Sequence, residues 1–189
     1  MAFSCVTRYV FSILPLLVIL TITPLSSSLS PGDKVTTELL NQLCAKPPID
    51  NITFCVWQTS YAITVSLDLG GLVDMVLEKT RVFGNMNLSA MKELAAATTT
   101  NPYLKDTYEI CVIDYELAVT AIEGAQEFAR SKSYELVPQA ASKALDIISS
   151  CEADLKDLKL KNVGAYSIRN SVFEKMCNIG SVFSNVLTS

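Results

Sequence analysis

The chain has 189 residues, 50% of them hydrophobic and 18% charged, with 15 Lys+Arg against 19 Asp+Glu and no histidine. That length suits a single domain, and the acidic balance argues against nucleic acid or an anionic membrane as partner. Without histidine the usual general base, the usual zinc ligand and the usual pH switch are all missing.

Residues 1–28 read as a secretory signal peptide. Arg8 is the only charge there, an apolar run from Tyr9 to Ile22 follows, and Pro24 and the small residues Ser26, Ser27 and Ser28 come after it. That order of basic start, short apolar core and small residues marks a cleaved leader. The run falls short of the roughly 20 residues needed to cross a bilayer. Cleavage after Ser28 is predicted, leaving 29–189 as one helical domain. Arg8 leaves with the leader, so 14 basic residues face 19 acidic ones and the net charge becomes −5. No later apolar run is long enough to span a membrane, and the compartment expected is extracellular.

The mature chain reads as helix almost throughout. Val35, Leu39, Leu40 and Leu43 recur at helical spacing, and Pro47-Pro48 ends that segment. Thr53 is a candidate cap for the next helix, whose apolar stripe is Phe54, Trp57, Tyr61 and Val65. Gly70-Gly71 predicts a break or kink, and Gly84-Asn85 an end or bend, after the stripe of Leu72, Met75, Val76 and Phe83. A short piece over 87–97 is then followed by a connector, Thr98 to Pro102. The clearest helix carries Cys111, Tyr115, Ala118, Ile122, Ala125 and Phe128, with charged residues on its other faces. A polar turn at Arg130-Ser131-Lys132-Ser133 precedes a stripe of Ala140, Ala144, Ile147, Cys151, Leu155 and Leu158. After a break at Asn162-Val163-Gly164, the last helix carries Ile168, Val172, Met176, Ile179, Phe183 and Leu187. Alternating segments are absent. The fold class is all-α, an antiparallel four-helix bundle, and the aromatic and Met residues on these stripes are read as core.

Cys5 goes with the leader, and five cysteines remain where disulfides form. Cys44 and Cys55 flank turn-forming residues, so a local bridge closing a hairpin is the simplest pairing. Cys111 and Cys151 sit on two apolar helical stripes, which suits a bridge between helices. Cys177 is then left over, read as buried and inert, in a protein expected to be monomeric. Other connectivities are compatible with the sequence.

The search for chemistry finds no nucleophile elbow, no phosphate loop and no Ser-His or Cys-His pair. Asp106 with Glu109, and Glu152 with Asp154, read as solvated surface. The expectation is no enzyme, no cofactor and no metal site. Two sequons, Asn51-Ile52-Thr53 and Asn87-Leu88-Ser89, are candidate N-glycosylation sites.

Several segments together resemble the plant invertase and pectin methylesterase inhibitor family. They are the Cys44/Cys55 pair after an amphipathic start; Leu67-Asp68-Leu69-Gly70-Gly71-Leu72; Cys111-x-x-x-Tyr115 with Ala118; and Ala140-Ala141-Ser142-Lys143-Ala144-Leu145 running into Cys151-Glu152-Ala153-Asp154. The resemblance spans about Thr37 to Leu187. It implies a four-helix bundle with an N-terminal helical hairpin and the bridges Cys44–Cys55 and Cys111–Cys151, in agreement with the spacing. It also implies a secreted apoplastic inhibitor, with the vacuole as alternative, that occludes a target enzyme one-to-one. Pectin methylesterase is the leading target, because many of those enzymes are basic and this chain is acidic; acid invertase is the alternative. Some invertase inhibitors of the family carry a Pro-Lys-Phe loop. The segment here that comes nearest is Lys132-Ser133-Tyr134, which lacks the proline; these are the candidate contacts for an invertase. A secreted carrier of a small apolar ligand is the reading from another class, and a surface or storage protein a third.

Overall fold

A computed structural model describes residues 28–157 and 163–188; most of the leader and Leu158 lie outside them. Helix α1 spans Thr37–Cys44, α2 Ile52–Thr59, α3 Tyr61–Thr64, α4 Leu69–Ala97, α5 Pro102–Arg130, α6 Val137–Asp157 and α7 Val163–Asn185, with a 3-10 turn at Tyr134–Leu136. The long helices α4 to α7 touch in cyclic order, α4 on α5, α5 on α6, α6 on α7 and α7 back on α4. With short connections this is the up-down-up-down bundle. The short helices α1 to α3 form the N-terminal hairpin and pack mainly on α4 and α7.

Local chemistry fixes the helix starts. Thr36 caps α1, its hydroxyl accepting from Leu39 N–H at 3.2 Å. Asn51, not Thr53, caps α2, with Oδ1 accepting from Phe54 N–H at 2.8 Å. Asp68 caps α4 through Gly71 N–H at 2.8 Å, and Asn101 caps α5 with Pro102 in the first turn. Such caps are each worth about 1 kcal/mol.

Gly70 and Gly71 therefore open a helix instead of breaking one. A Cβ on Gly70 would lie 2.8 Å from Tyr134 Oη, so that glycine admits the 3-10 turn against the start of α4. Gly84 likewise does not end a helix: α4 runs through it for 29 residues. A Cβ there would meet Val119 Cγ2 at 2.8 Å and Phe173 Cε2 at 2.9 Å. Gly84 is where α5 and α7 close on α4.

The core forms two clusters along the bundle. One gathers the hairpin, the first half of α4 and the end of α7, around Leu43, Leu72, Leu77 and Phe183. The other joins the second half of α4 to the middle of α5, α6 and α7, around Met91, Tyr115, Ile148 and Phe173. Each fully buried Leu, Ile or Phe contributes about 1.5–3 kcal/mol. Each cluster holds one disulfide: Cys44–Cys55, with Cα atoms 5.7 Å apart, and Cys111–Cys151, at 5.0 Å. Cys177 is free and fully buried, and burial pushes its thiol well above the ordinary range. A thiol held in that state is a poor nucleophile.

Of the predicted core positions on α5, 111, 115, 118, 122 and 125 are buried, while Phe128 is half-buried and lines the surface between α5 and α6. The stripe on the hairpin is not core. Trp57 is 70% exposed and Tyr61 59%, while Cys55 and Thr59 turn inward. Thr59 is accommodated there because its hydroxyl donates to the Cys55 carbonyl at 2.6 Å. Ile168 is also exposed, at 67%; the inward line of α7 runs through Phe173, Cys177 and Gly180.

Candidate functional site

Across the second core cluster a buried polar chain ties all four long helices together. Lys156 on α6 pairs with Glu152 at 3.1 Å. Glu152 accepts from Asn170 Nδ2 on α7 at 2.7 Å and from the Ser167 hydroxyl. Tyr115 Oη on α5 donates to Asn170 Oδ1 and accepts from Asn87 Nδ2 on α4 at 3.2 Å. Burial alone would raise the Glu152 carboxyl, but its bonds from Ser167, Lys156 and Asn170 outweigh that and hold it below the usual range. Burial drives the Tyr115 phenol far upward, so it stays a neutral donor. Each polar group has a partner, so the chain fixes the register of the bundle. Asn87, Tyr115, Glu152 and Asn170 are buried, while Lys156 reaches solvent. The same geometry encloses Asn87, one of the two candidate glycan sites. Its side chain is 1% exposed and the nitrogen that would carry the sugar is bonded to Tyr115. Asn51 is exposed.

The predicted invertase contacts do not form a projecting loop. Ser133 N–H bonds the Phe128 carbonyl at 2.8 Å, and Lys132 N–H bonds that of Ala129 at 3.0 Å. Lys132 has φ +62°. That pair of bonds with a left-handed residue is the Schellman ending of a helix, here with lysine at the place glycine usually takes. Only Lys132 is fully exposed; Ser133 is half-buried, and Tyr134, at 6% exposure, is packed into the hairpin-side core. Tyr134 is therefore corrected from a contact to a core residue.

An exposed apolar surface lies elsewhere, on α5 and α6. Helix α5 carries a second apolar stripe beside its core stripe: Ile110, Ile113 and Leu117 are 47%, 57% and 52% exposed. At the same helical spacing the stripe continues through Ala121, Gly124 and Phe128. These last positions, with Leu136, Ala140 and Ile147 across the way, line a groove of about 1020 Å³ between α5 and α6. Gly124 leaves its floor open, since no atom lies within 4 Å of where a Cβ would stand. Beside the stripe, Glu109, Glu116, Glu123 and Glu127 share one face of α5 by their spacing and are all exposed. Glu109 pairs with Lys105 at 3.5 Å and Glu116 with Lys92 at 2.8 Å. Among the described residues, Glu123 and Glu127 form no ion pair. Lys143 and Asp146 stand on the α6 side. An exposed apolar ridge with a charged rim has the anatomy of a protein interface. Sequence reasoning assigned the non-core faces of α5 to charge and missed this ridge; three large aliphatic residues at spacings of three and four were the signal.

Among the described residues no group of His, Cys, Asp or Glu side chains could hold a metal ion, and no helix is long and apolar enough to cross a membrane. A disulfide-stapled helical bundle with an exposed apolar face has the build of a protein-binding module.

Comparison with known proteins gives the particular family. Residues 38–182 match the model of the plant invertase/pectin methylesterase inhibitor family, and the chain belongs to that family. It is 30% identical to a pectinesterase inhibitor of Actinidia deliciosa over 99% of this chain and 98% of that one. It is 27% identical to pectinesterase inhibitor 2 of Arabidopsis thaliana over 78% of this chain and 83% of that one. Among solved structures, a pectin methylesterase inhibitor from Arabidopsis thaliana superposes with a TM-score of 0.59 at 25% identity, covering 81% of this chain and 98% of that one. A mutant form of an Arabidopsis inhibitor gives 0.63 at 25% identity, covering 72% and 89%.

Proposed function

We propose that the protein is exported to the plant cell wall and inhibits a pectin methylesterase by binding it one-to-one through the α5–α6 face. The observation that carries the target is the near full-length similarity to a protein named a pectinesterase inhibitor. The surface is argued from charge and exposure. The glutamate row and the mature net charge favour a basic partner surface and speed its approach, while Leu117 at the end of the groove and Ile113 one turn before it supply exposed apolar area to be desolvated. The groove is open to solvent along the ridge, which suits a protein surface better than an enclosed small apolar ligand. The invertase alternative loses its structural footing with Tyr134 in the core.

The test titrates residues 29–189, disulfides formed, into a pectin methylesterase assay and an acid invertase assay in parallel at mildly acidic pH. The expected result is stoichiometric loss of the esterase activity with the invertase untouched. Loss of invertase activity alone, or of neither, would overturn the reading.

A further inference from the structure

We infer that Asn51, and not Asn87, carries an N-linked oligosaccharide in the exported protein. The inference rests on the export reading above and is independent of the target enzyme. The two sequons look equivalent as sequence and differ sharply in the fold. Attachment forms a bond between the side-chain amide nitrogen and the anomeric carbon of a lipid-linked oligosaccharide diphosphate. The bond from that carbon to the diphosphate breaks, the lipid diphosphate leaves, and one amide proton is lost. The site must therefore offer Nδ2 with room beside it.

Asn51 meets that demand. Its Oδ1 is occupied as the α2 cap, accepting from Phe54 N–H at 2.8 Å. The carbonyl survives glycosylation, so the cap survives too. Among the described residues no hydrogen bond engages Asn51 Nδ2, and Asn51, Ile52 and Thr53 are all exposed. The Cys44–Cys55 bridge and the Asp50–Lys175 ion pair, at 3.8 Å, hold the segment on the bundle. Asn87 fails it: its Nδ2 faces Tyr115 Oη between α4 and α5 in a residue 1% exposed, with no room for a sugar beside it. A chain modified there cannot close its core, so the folded protein carries nothing at that site. The hairpin rests mainly on α4 and α7, whereas the docking groove belongs to α5 and α6. The oligosaccharide therefore leaves esterase inhibition unchanged.

The full chain is expressed in plant leaf cells, and the protein from the extracellular fluid and from the lysate is weighed by intact mass spectrometry before and after enzymatic deglycosylation. The expected result is one oligosaccharide mass on the extracellular protein, absent from Asn51→Gln and from Thr53→Ala. It is retained in Ser89→Ala, which breaks the second sequon at an exposed side chain and spares the Asn87 network. Extracellular protein without the added mass, or a mass that survives Asn51→Gln or disappears in Ser89→Ala, overturns the site while leaving export standing. Unmodified protein found only inside the cells with its leader intact overturns the export reading and the inference with it.

Discussion

At the scale of single residues, the polar chain through the second core cluster makes the sharpest demands. Tyr115→Phe keeps the ring, which packs edge-on against Phe173, but leaves Asn170 Oδ1 and Asn87 Nδ2 without their partner. Unpaired buried groups of this kind cost about 1–3 kcal/mol, and chemical denaturation should show a loss of that size. Glu78 gives a pH signature. Bonds from Arg81 and Gln126 lower its carboxyl from 4.5 to about 2. A depressed carboxyl stabilises the fold above its unfolded value, and that contribution fades as pH falls from 4.5 toward 2. Glu152 acts with the same sign. Glu174 and Asp114 act oppositely: burial, together with Glu152 and Asp154 respectively, raises them, so their strain is relieved as pH drops toward their ordinary values. Stability should hold in mildly acidic solution and fall below about pH 4.5. In Glu78→Gln, melting temperature followed against pH should fall less steeply across that acid limb; an unchanged slope would remove Glu78 from the account. The pairs Glu78–Arg81 and Glu152–Lys156 have helical i,i+3 and i,i+4 spacing, but the partners on other helices could not be read in advance. Glu152 and Asn170 lie 18 positions apart, and Asn87 and Tyr115 28, so only the folded bundle brings them together.

At the scale of elements, what periodicity could and could not say separates cleanly. A 29-residue helix such as α5 repeats its core stripe often enough to be unmistakable. The eight-residue α2 does not. Phe54 and Trp57 here and Tyr61 at the start of α3 recur at helical spacing, but the Cys44–Cys55 bridge turns Cys55 inward and Trp57 and Tyr61 face solvent. The disulfide partners were legible from spacing and from the family resemblance. The glycines were misread because a glycine in helical text signals a break on propensity alone, whereas Gly84 serves close packing that only tertiary structure reveals. Gly84→Val tests this. An interior valine is a better helix former than glycine, yet its side chain would enter space held by Val119 and Phe173. Overpacking of this kind costs about 1–3 kcal/mol, and calorimetry should show a lowered melting temperature. An unchanged or raised value would mean that α5 and α7 do not close on α4 as described.

At the scale of the whole molecule, the fold was legible and the exposed apolar ridge on α5 was not. Two apolar stripes on one helix are easily merged into one core face, and sequence alone does not show which stripe the bundle covers. The helix α5 presents Cys111, Tyr115 and Ala118 inward and Ile110, Ile113 and Leu117 outward, and the proposed function gives the second set a partner. Charge should govern the approach of that partner. Glu123→Lys with Glu127→Lys reverses the unpaired end of the glutamate row. Stopped-flow association with a pectin methylesterase should slow by about tenfold or more at low salt, with the difference shrinking as ionic strength rises. An equal rate at low salt would remove the steering role.

The most direct test of the central claim is the inhibition constant of Ile113→Asp/Leu117→Asp against a pectin methylesterase, beside the unaltered protein. Both side chains are exposed at these positions, so circular dichroism and thermal melts should match those of the parent. Two apolar anchors are each worth about 1–2 kcal/mol or more when lost from an interface, so inhibition should weaken by about a hundredfold. Full inhibition by the folded double variant would contradict the account and place the docking surface elsewhere on the bundle.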